Sequence, residues 1–234
     1  LILNSCCNSS MTKTLESNLI KLFSENRLSS YKYSSSDTDS VVLERYLYNI
    51  ELSKSLYPLL SILEIALRNR INEAIETVIK PNWLMEELNQ QSILLPNEHK
   101  KLIEAKRKLE NKGHKNICKD DIIAKLSLGF WIHLCTKRYK TAFWHKQGFF
   151  RIVFAGYPNF SEFDKLSKVF PLLNLMLKLR NRVFHHEIII NNPYGINNCY
   201  EDLRKLLGYI STDSLLYLDK ICDSKQVITK KKPQ

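Results

Sequence analysis

The chain has 234 residues, of which 44% are hydrophobic and 25% are charged, and its formal net charge is +11. It is long enough to bury a core without disulfides, and its 6 Gly and 7 Pro argue against a turn-rich all-β fold and a glycine-rich phosphate loop. The excess of Lys and Arg favours a polyanionic partner such as RNA, DNA or an acidic membrane surface.

Membrane insertion and secretion are both disfavoured by the sequence. The strongest apolar stretches are interrupted by charged residues or histidine well before the ~20 residues that a spanning helix needs. The segment before Met11 has neither a basic start nor a long apolar run, so Met11 is a candidate start of the protein. The 6 cysteines are scattered without a Cys-x-x-Cys pair, which is typical of a reducing compartment. We therefore expect a soluble, cytoplasmic protein.

Periodic apolar residues predict an all-α fold of seven or eight helices. A first short helix lies near residues 15–23, a polar loop covers 29–38, and a second helix runs from about residue 39 to Ser55. Pro58 has no backbone N–H, so it either kinks that helix or opens the next one. The stretch over 59–79 is too apolar for a surface helix and should lie in the core.

The rest of the chain continues the helical pattern. It predicts four further helices, over residues 98–112, 122–135, 166–184 and 198–222, and an aromatic-rich connection with some strand character over 144–157. We expect three parts along the chain: a flexible segment over 1–12, a single helical domain over 13–223 and a disordered basic tail over 224–234.

Gly129, Phe130 and Trp131 follow one another in a predicted helix. Aromatic rings there could stack on nucleic-acid bases, but a glycine beside large aromatic residues in a helix is more typical of a close helix crossing. We therefore place this segment in the core.

Chemistry-bearing residues are concentrated at the end of the most apolar helix. Arg180 and Asn181 occupy the missing step of an apolar stripe formed by Leu166, Phe170, Leu173, Leu177, Phe184 and Ile188. His185, His186 and Glu187 follow directly. An arginine at such a place loses hydration and needs an anionic or hydrogen-bonding partner. On the residues alone, both a structural ion-pair network at a helix end and an active site stay open.

Helical geometry constrains how these residues can act together. On a continuous helix at ~100° per residue, Arg180 and His185 point about 140° apart, whereas Asn181 and His185 share a face. Arg180 and His185 therefore converge only if the helix breaks between them, if the long arginine wraps round, or if a second protomer contributes.

The run from Arg180 to His185 fits the pattern Arg-x4-6-His, with Asn directly after Arg, and it resembles the signature of the HEPN superfamily. Extended to Glu187 through His185 and His186, the run is similar to the Arg-Asn-x-x-x-His-His of Abi-like (abortive infection) proteins.

Two upstream runs carry the same resemblance, in order and approximate spacing. They are Leu-Glu-Ile-Ala-Leu-Arg-Asn at residues 63–69, and Leu-Ser-Leu-Gly-Phe-Trp at 126–131 followed by Trp144. The resemblance spans roughly residues 41–190. It departs at Leu128, where Abi-like proteins often have Phe, and this departure affects no catalytic residue.

The resemblance implies a helical domain that dimerises so that two motifs face one another and cleave RNA without a metal. His185 would take the proton from a ribose 2′-hydroxyl or give one to the leaving 5′-oxygen. Arg180 would hold the phosphate and stabilise the charge of the phosphorane. Asn181 would orient His185 or donate to a phosphate oxygen. The expected product is a 2′,3′-cyclic phosphate.

Five further residues are candidates for supporting roles. His186 is a second candidate base or a structural helix-end residue, and Arg182 contacts RNA phosphate or solvent. Glu64 and Arg68 lie four residues apart, so they form an intrahelical ion pair or, as the repeated Leu-Arg-Asn-Arg at 67–70 and 179–182 suggests, line the same cleft. Asn69 follows Arg68 in that repeat.

The resemblance thus favours an endoribonuclease toxin that acts in phage defence or in a toxin–antitoxin system. Its expected partners are RNA, a second copy of the chain and an antitoxin, either a protein or a small RNA. We expect no cofactor and no metal, because His99, His114, His133 and His145 show no metal-ligand spacing with Cys or acidic residues. The alternatives are a module that binds RNA without cutting it and a protein-interaction module.

Overall fold

The computed structural model describes residues 9–222 and 224–229, with side chains from residue 14 onward. Within these ranges the chain is helical and contains no β-strand, so the predicted all-α class is confirmed. The helices are α1 (Ser9–Phe23), α2 (Glu25–Leu28), α3 (Asp39–Val78), α4 (Trp83–Asn89), α5 (Pro96–Glu110), α6 (Lys119–Lys125), α7 (Leu128–Leu134), α8 (Phe149–Val153), α9 (Lys165–Phe184), α10 (Ile196–Ile210), α11 (Thr212–Ile221) and α12 (Ser224–Ile228).

Single turns of tighter or wider helix supplement these elements. They are two 3-10 turns, Ser29–Tyr31 and Lys137–Tyr139, and one π turn, Lys140–Trp144. In the described part of the chain, no helix is both long enough and apolar enough to cross a bilayer.

The sequence allowed Pro58 two roles, a kink within one helix or the start of the next helix, and the second of these is wrong. Pro58 lies inside α3, which runs unbroken for 40 residues. An interior proline removes one hydrogen bond and costs about 3 kcal/mol. Here apolar side chains on both sides of the proline are completely buried, among them Leu56, Leu59 and Leu60. Their burial offsets the cost, since each such side chain contributes about 1.5–3 kcal/mol.

Two helices predicted as continuous are instead divided at a serine. Leu126 is extended and the hydroxyl of Ser127 accepts from the N–H of Phe130, which ends α6 and caps α7. Ser211 is extended too, and its hydroxyl accepts from Ser214, so α10 and α11 are separate. A serine that satisfies a free N–H at a helix start stabilises such a break by about 1 kcal/mol.

The other departures lie between and beyond the long helices. Residues 144–157 form no strand and include α8. The tail predicted to be disordered includes α12, where Ile228 is buried and Ser224 donates a hydrogen bond to the carbonyl of Ser55. The segment predicted to be flexible is already helical from Ser9, and its first eight residues lie outside the described part. The short helices raise the number above the predicted seven or eight.

The chain divides into two compact units, each assembled from separate segments. Unit 1 consists of residues 1–57, 182–198 and 223–234, and unit 2 of residues 58–181 and 199–222. In unit 1, Leu28, Tyr31, Val42 and Leu43 form a buried cluster, and residues of α1 and the segment after α9 pack against it. The single domain predicted over 13–223 stays a prediction.

Unit 2 has an aromatic core. The rings of Tyr139 and Phe143 stack with centroids 5.0 Å apart, and Phe143 stacks in turn on Phe149 at 5.6 Å. Phe130 and Trp131 are completely buried, as predicted. Gly129 marks no close crossing, because a Cβ there would meet nothing nearer than the Ser127 hydroxyl at 3.8 Å.

Candidate functional site

The buried face of α9 differs from the stripe that the sequence indicated. Its buried residues are Leu166, Val169, Leu173, Met176, Leu179 and Val183. Leu179 thus fills the step that the prediction assigned to Arg180, and Arg180 lies beside the buried face with 26% of its side chain exposed. The prediction that Arg180 interrupts a core stripe is wrong, because the apolar residues of α9 allow two adjacent stripes and periodicity does not choose between them.

Arg180 is held by a carboxylate on α3. Its Nε donates to Glu64 Oε2 at 3.0 Å and its Nη2 to Oε1 at 3.5 Å, which makes a two-point, charge-assisted contact. The pair is partly shielded from water, since 18% of the Glu64 side chain is exposed. The structure therefore joins Glu64 to Arg180, whereas the expected ion pair between Glu64 and Arg68 is not formed among the described residues.

Arg68 differs from Arg180 in the acceptors that surround its guanidinium group. It stands one turn after Glu64 on the same face of α3. Its Nε is buried and has no hydrogen-bond acceptor within the described ranges. Leaving such a donor buried without an acceptor costs free energy, about 1–3 kcal/mol for a neutral donor and more for a charged one. An anion that supplied an acceptor at this point would therefore be favoured.

The repeated Leu-Arg-Asn-Arg has the same pattern of burial on both helices. Leu67 and Leu179 are buried, whereas Asn69 and Asn181 are exposed. The two arginines at the second position, Arg68 and Arg180, are half-buried in unit 2. Both arginines are thus partly buried in the same unit, and the suggestion that Glu64 and Arg68 line the cleft of the motif stays a prediction.

The helix that carries the motif ends without a break inside it. α9 is continuous to Phe184. Of the three ways in which Arg180 and His185 could converge, a break inside the helix is therefore absent, and a wrapped arginine and a second protomer stay open. His186 then takes a left-handed conformation, with φ of 57°. Its N–H donates to Val183 O at 3.2 Å, and the N–H of Glu187 donates to Arg182 O at 2.8 Å.

This bonding is the Schellman end of a helix, with His186 where glycine is most common. A non-glycine residue in the left-handed region is strained, and such strain is found preferentially at functional sites. The structure supports a helix-end role for His186, whose carbonyl also accepts from Arg27 Nη2 at 2.6 Å. The side chains of Arg182, His185 and His186 are exposed.

The segment after the motif is fixed by Asn49, a residue that the sequence did not single out. Asn49 lies on α3 within unit 1 and is 3% exposed. Its Oδ1 accepts from the N–H groups of Ile189 at 2.7 Å and Ile190 at 3.1 Å, and its Nδ2 donates to the carbonyl of Glu187 at 3.2 Å. One buried amide therefore satisfies three backbone groups just beyond the two histidines.

We expect Asn49→Ala to destabilise the protein by roughly 2–4 kcal/mol, because it leaves buried backbone donors without acceptors. The free energy of unfolding from urea denaturation measures this loss. Asn26→Ala is the control, since Asn26 is exposed in the same unit and should change stability by no more than about 0.5 kcal/mol. Equal stabilities of the two variants would show that Asn49 does not fix this segment.

A second network involves a histidine that the sequence left without a role. Glu98 is 4% exposed, and it binds His133 Nδ1 at 3.1 Å and the hydroxyl of Tyr139 at 3.2 Å. Burial raises the pKa of Glu98, but the hydrogen bond from His133, the charge of Lys101 and the bond from Tyr139 together bring it below its ordinary value. No sequence spacing signals this network, because its members come from three separate elements.

In comparisons with known proteins, the chain matches no protein-family model, no curated protein and no solved structure. The resemblance to Abi-like proteins of the HEPN superfamily therefore rests on the motif residues alone. Among the described residues, no three His, Cys, Asp or Glu side chains are grouped so that they could hold a metal ion.

Proposed function

We propose that the protein is a metal-independent endoribonuclease whose phosphate site is built around Arg180. The observation that carries this proposal is the pairing of Arg180 with Glu64, while Arg68, one turn after Glu64 on α3, has a buried Nε without an acceptor among the described residues. In this arrangement Glu64 fixes the position of one guanidinium, whereas that of Arg68 forms no salt bridge within the described part of the chain. An RNA phosphate is the anion that the formal charge of +11 favours.

The proposed reaction needs only groups that this chain supplies. A ribose 2′-oxygen attacks the adjacent phosphorus, the bond to the 5′-oxygen of the next nucleotide breaks, and a 2′,3′-cyclic phosphate forms. Arg180 stabilises the charge that develops on the phosphorane, an effect worth roughly 100-fold to 1000-fold in rate for one such donor. Arg68 would accept part of the same charge.

His185 is the proposed acid–base group. Its side chain is exposed, and histidine is the side chain that most often serves as general acid or base in enzymes. Asn181 would orient it or donate to a phosphate oxygen. Because α9 has no break before Phe184, we propose that two copies of the chain face one another and that Arg180 of one copy works with His185 of the other.

In biological terms, we propose a toxin of phage defence or of a toxin–antitoxin system, held inactive by an antitoxin. This part of the proposal rests on the resemblance of the motifs.

The test is cleavage of a labelled RNA in the presence of EDTA by wild type and by His185→Ala. We expect the wild type to produce cyclic-phosphate ends and His185→Ala to lose at least about 100-fold in rate. His114→Ala is the control, since His114 is exposed outside the motif and its replacement should leave cleavage unchanged. Cleavage by His185→Ala at the wild-type rate would show that His185 is not the acid–base group.

A second candidate function is an RNA-binding or protein-interaction module without catalysis. The ion pair favours it in one respect, because Arg180 is already neutralised by Glu64 and such a pair can serve the fold alone. If the wild-type protein binds RNA but does not cleave it, with or without EDTA and at every pH tested, the function is that of a binding module.

A further inference from the structure

Unit 2 contains a cleft that none of the motif residues lines. It has a volume of about 890 Å³ and lies between residues 140–151 and residues 160–166. A second cleft, of about 600 Å³, shares Lys140, Asp164 and Leu166 with the first. The two are therefore adjoining parts of one groove, which we call the 140/164 groove.

Two aromatic rings give the 140/164 groove a surface on which flat groups can stack. Phe163 is 93% exposed, which is costly for a large apolar side chain that has no partner. Beside it, the guanidinium of Arg151 lies over the ring of Phe160, 4.4 Å from its centroid. A planar cation on one ring and a bare second ring are the groups that nucleic-acid bases stack on.

Some of the cations along the groove are already paired. Lys140 binds Asp164 at 3.1 Å, Lys168 binds the Glu162 carboxylate and Lys165 donates to the Glu162 carbonyl at 3.0 Å. These contacts hold the loop before α9 in place. They leave other cations to provide the charge of the groove.

Four cations of the groove form no salt bridge within the described part of the chain. Lys146 and Arg151 line the larger cleft, and Lys137 and Arg138 line the smaller one. The side chains of Lys137, Arg138 and Lys146 are exposed. They thus give positive charge along both parts of the groove, and its larger part also contains the two aromatic rings.

We propose that the 140/164 groove binds single-stranded RNA, with one base stacked on Phe163 and phosphates held by Lys146 and Arg151. A concave groove suits a flexible single strand better than a flat lipid surface, and a stacked base requires a strand that is not paired in a duplex. The inference shares its ligand with the proposed endoribonuclease but not its catalytic residues. The groove would bind RNA whether or not the protein cuts it.

The experiment measures binding of a fluorescein-labelled oligouridylate of ~12 nucleotides, a length within the range of single-strand sites, by fluorescence anisotropy. All proteins carry His185→Ala so that the probe is not cut. We expect Phe163→Ala to weaken binding by roughly 5-fold or more, as loss of one stacked base does. Tyr217→Ala is the matched control, because Tyr217 is an exposed aromatic of the same unit, 60% accessible on α11, and should bind as the parent does.

A salt titration separates the charges from the ring. Lys146→Gln should reduce the slope of log affinity against log salt by about 1, whereas Phe163→Ala should leave the slope unchanged. Binding that is insensitive to Phe163→Ala, equal affinity for a duplex of the same length, or no binding by the parent would each overturn the inference.

The inference and the proposed function fail separately. Binding that depends on Phe163, together with no cleavage by the wild-type protein, would support RNA binding by the groove and contradict the endoribonuclease. Cleavage that depends on His185, together with binding that Phe163→Ala does not weaken, would support the enzyme and contradict the RNA-binding groove.

Discussion

Gly156→Ala is expected to destabilise the protein by at least about 3 kcal/mol, because it forces a side chain into a neighbouring backbone. A Cβ at this position would lie 2.1 Å from the carbonyl oxygen of Gly208 and 3.2 Å from its carbonyl carbon. The same contact carries a hydrogen bond from the Gly156 N–H to the carbonyl of Tyr209 at 2.9 Å. Neither backbone can move away without breaking that bond.

Thermal unfolding checks this expectation. For a chain of this size, each kcal/mol shifts Tm by roughly 2–4 °C, so Gly156→Ala should unfold about 6–12 °C below wild type or fail to fold. Gly129→Ala is the matched control. Its Cβ would meet only the Ser127 hydroxyl, at an ordinary contact distance of 3.8 Å, and alanine at this second residue of α7 should stabilise the helix by no more than about 1 kcal/mol. A Gly156→Ala protein as stable as wild type would show that the backbones do not meet there.

The two glycines illustrate what the sequence could not reveal. Gly129 has large aromatic neighbours, and this local pattern predicted a close crossing that the structure does not contain. Gly156 also has aromatic neighbours, Phe154 and Tyr157, but it lies outside every predicted helix, and its close partner is Gly208, far away in the chain. A contact between distant segments leaves no periodic signal in either of them.

Helix type was predicted better than helix boundaries for the same reason. The amphipathic repeats that gave α1, α5 and α9 are local. The helices α5 and α9 begin and end within two residues of their predicted limits, whereas α1 begins at Ser9, well before its predicted start. Pro58 was overridden by burial on both sides of it, and Ser127 and Ser211 each divided a helix through one hydroxyl. Such outcomes depend on free-energy differences of a few kcal/mol that composition does not display.

The candidate site was predictable only as a set of residues. The motif named Arg180 and His185, and the repeat Leu-Arg-Asn-Arg led to Glu64 and its neighbours. Which carboxylate would bind Arg180 depended on which face of α9 is buried, and the apolar residues allowed two. Asn49 could not be found at all, because a single buried amide that binds distant backbone groups has no sequence signature.

Arg180→Ala should lose cleavage by roughly 100-fold to 1000-fold, since in the proposed reaction it removes one charged donor to the phosphorane. It also leaves the Glu64 carboxylate, only 18% exposed, without its cation, so a moderate loss of stability of about 1–2 kcal/mol is expected as well. The double variant Glu64→Gln/Arg180→Gln separates the two effects. It removes both charges, so it should regain stability and remain inactive. Wild-type cleavage by the double variant would show that the pair serves the fold alone.

Mixing two inactive proteins tests the composite site directly. If Arg180 of one copy works with His185 of the other, a heterodimer of Arg180→Ala and His185→Ala contains one site in which both residues are intact. In a freely exchanging mixture, statistical pairing would restore about a quarter of the wild-type cleavage rate. Each variant alone stays inactive, and the double variant Arg180→Ala/His185→Ala mixed with either should restore nothing. No recovery in an exchanging mixture would mean that both residues act within one chain, so that Arg180 must reach round the unbroken helix to its own His185.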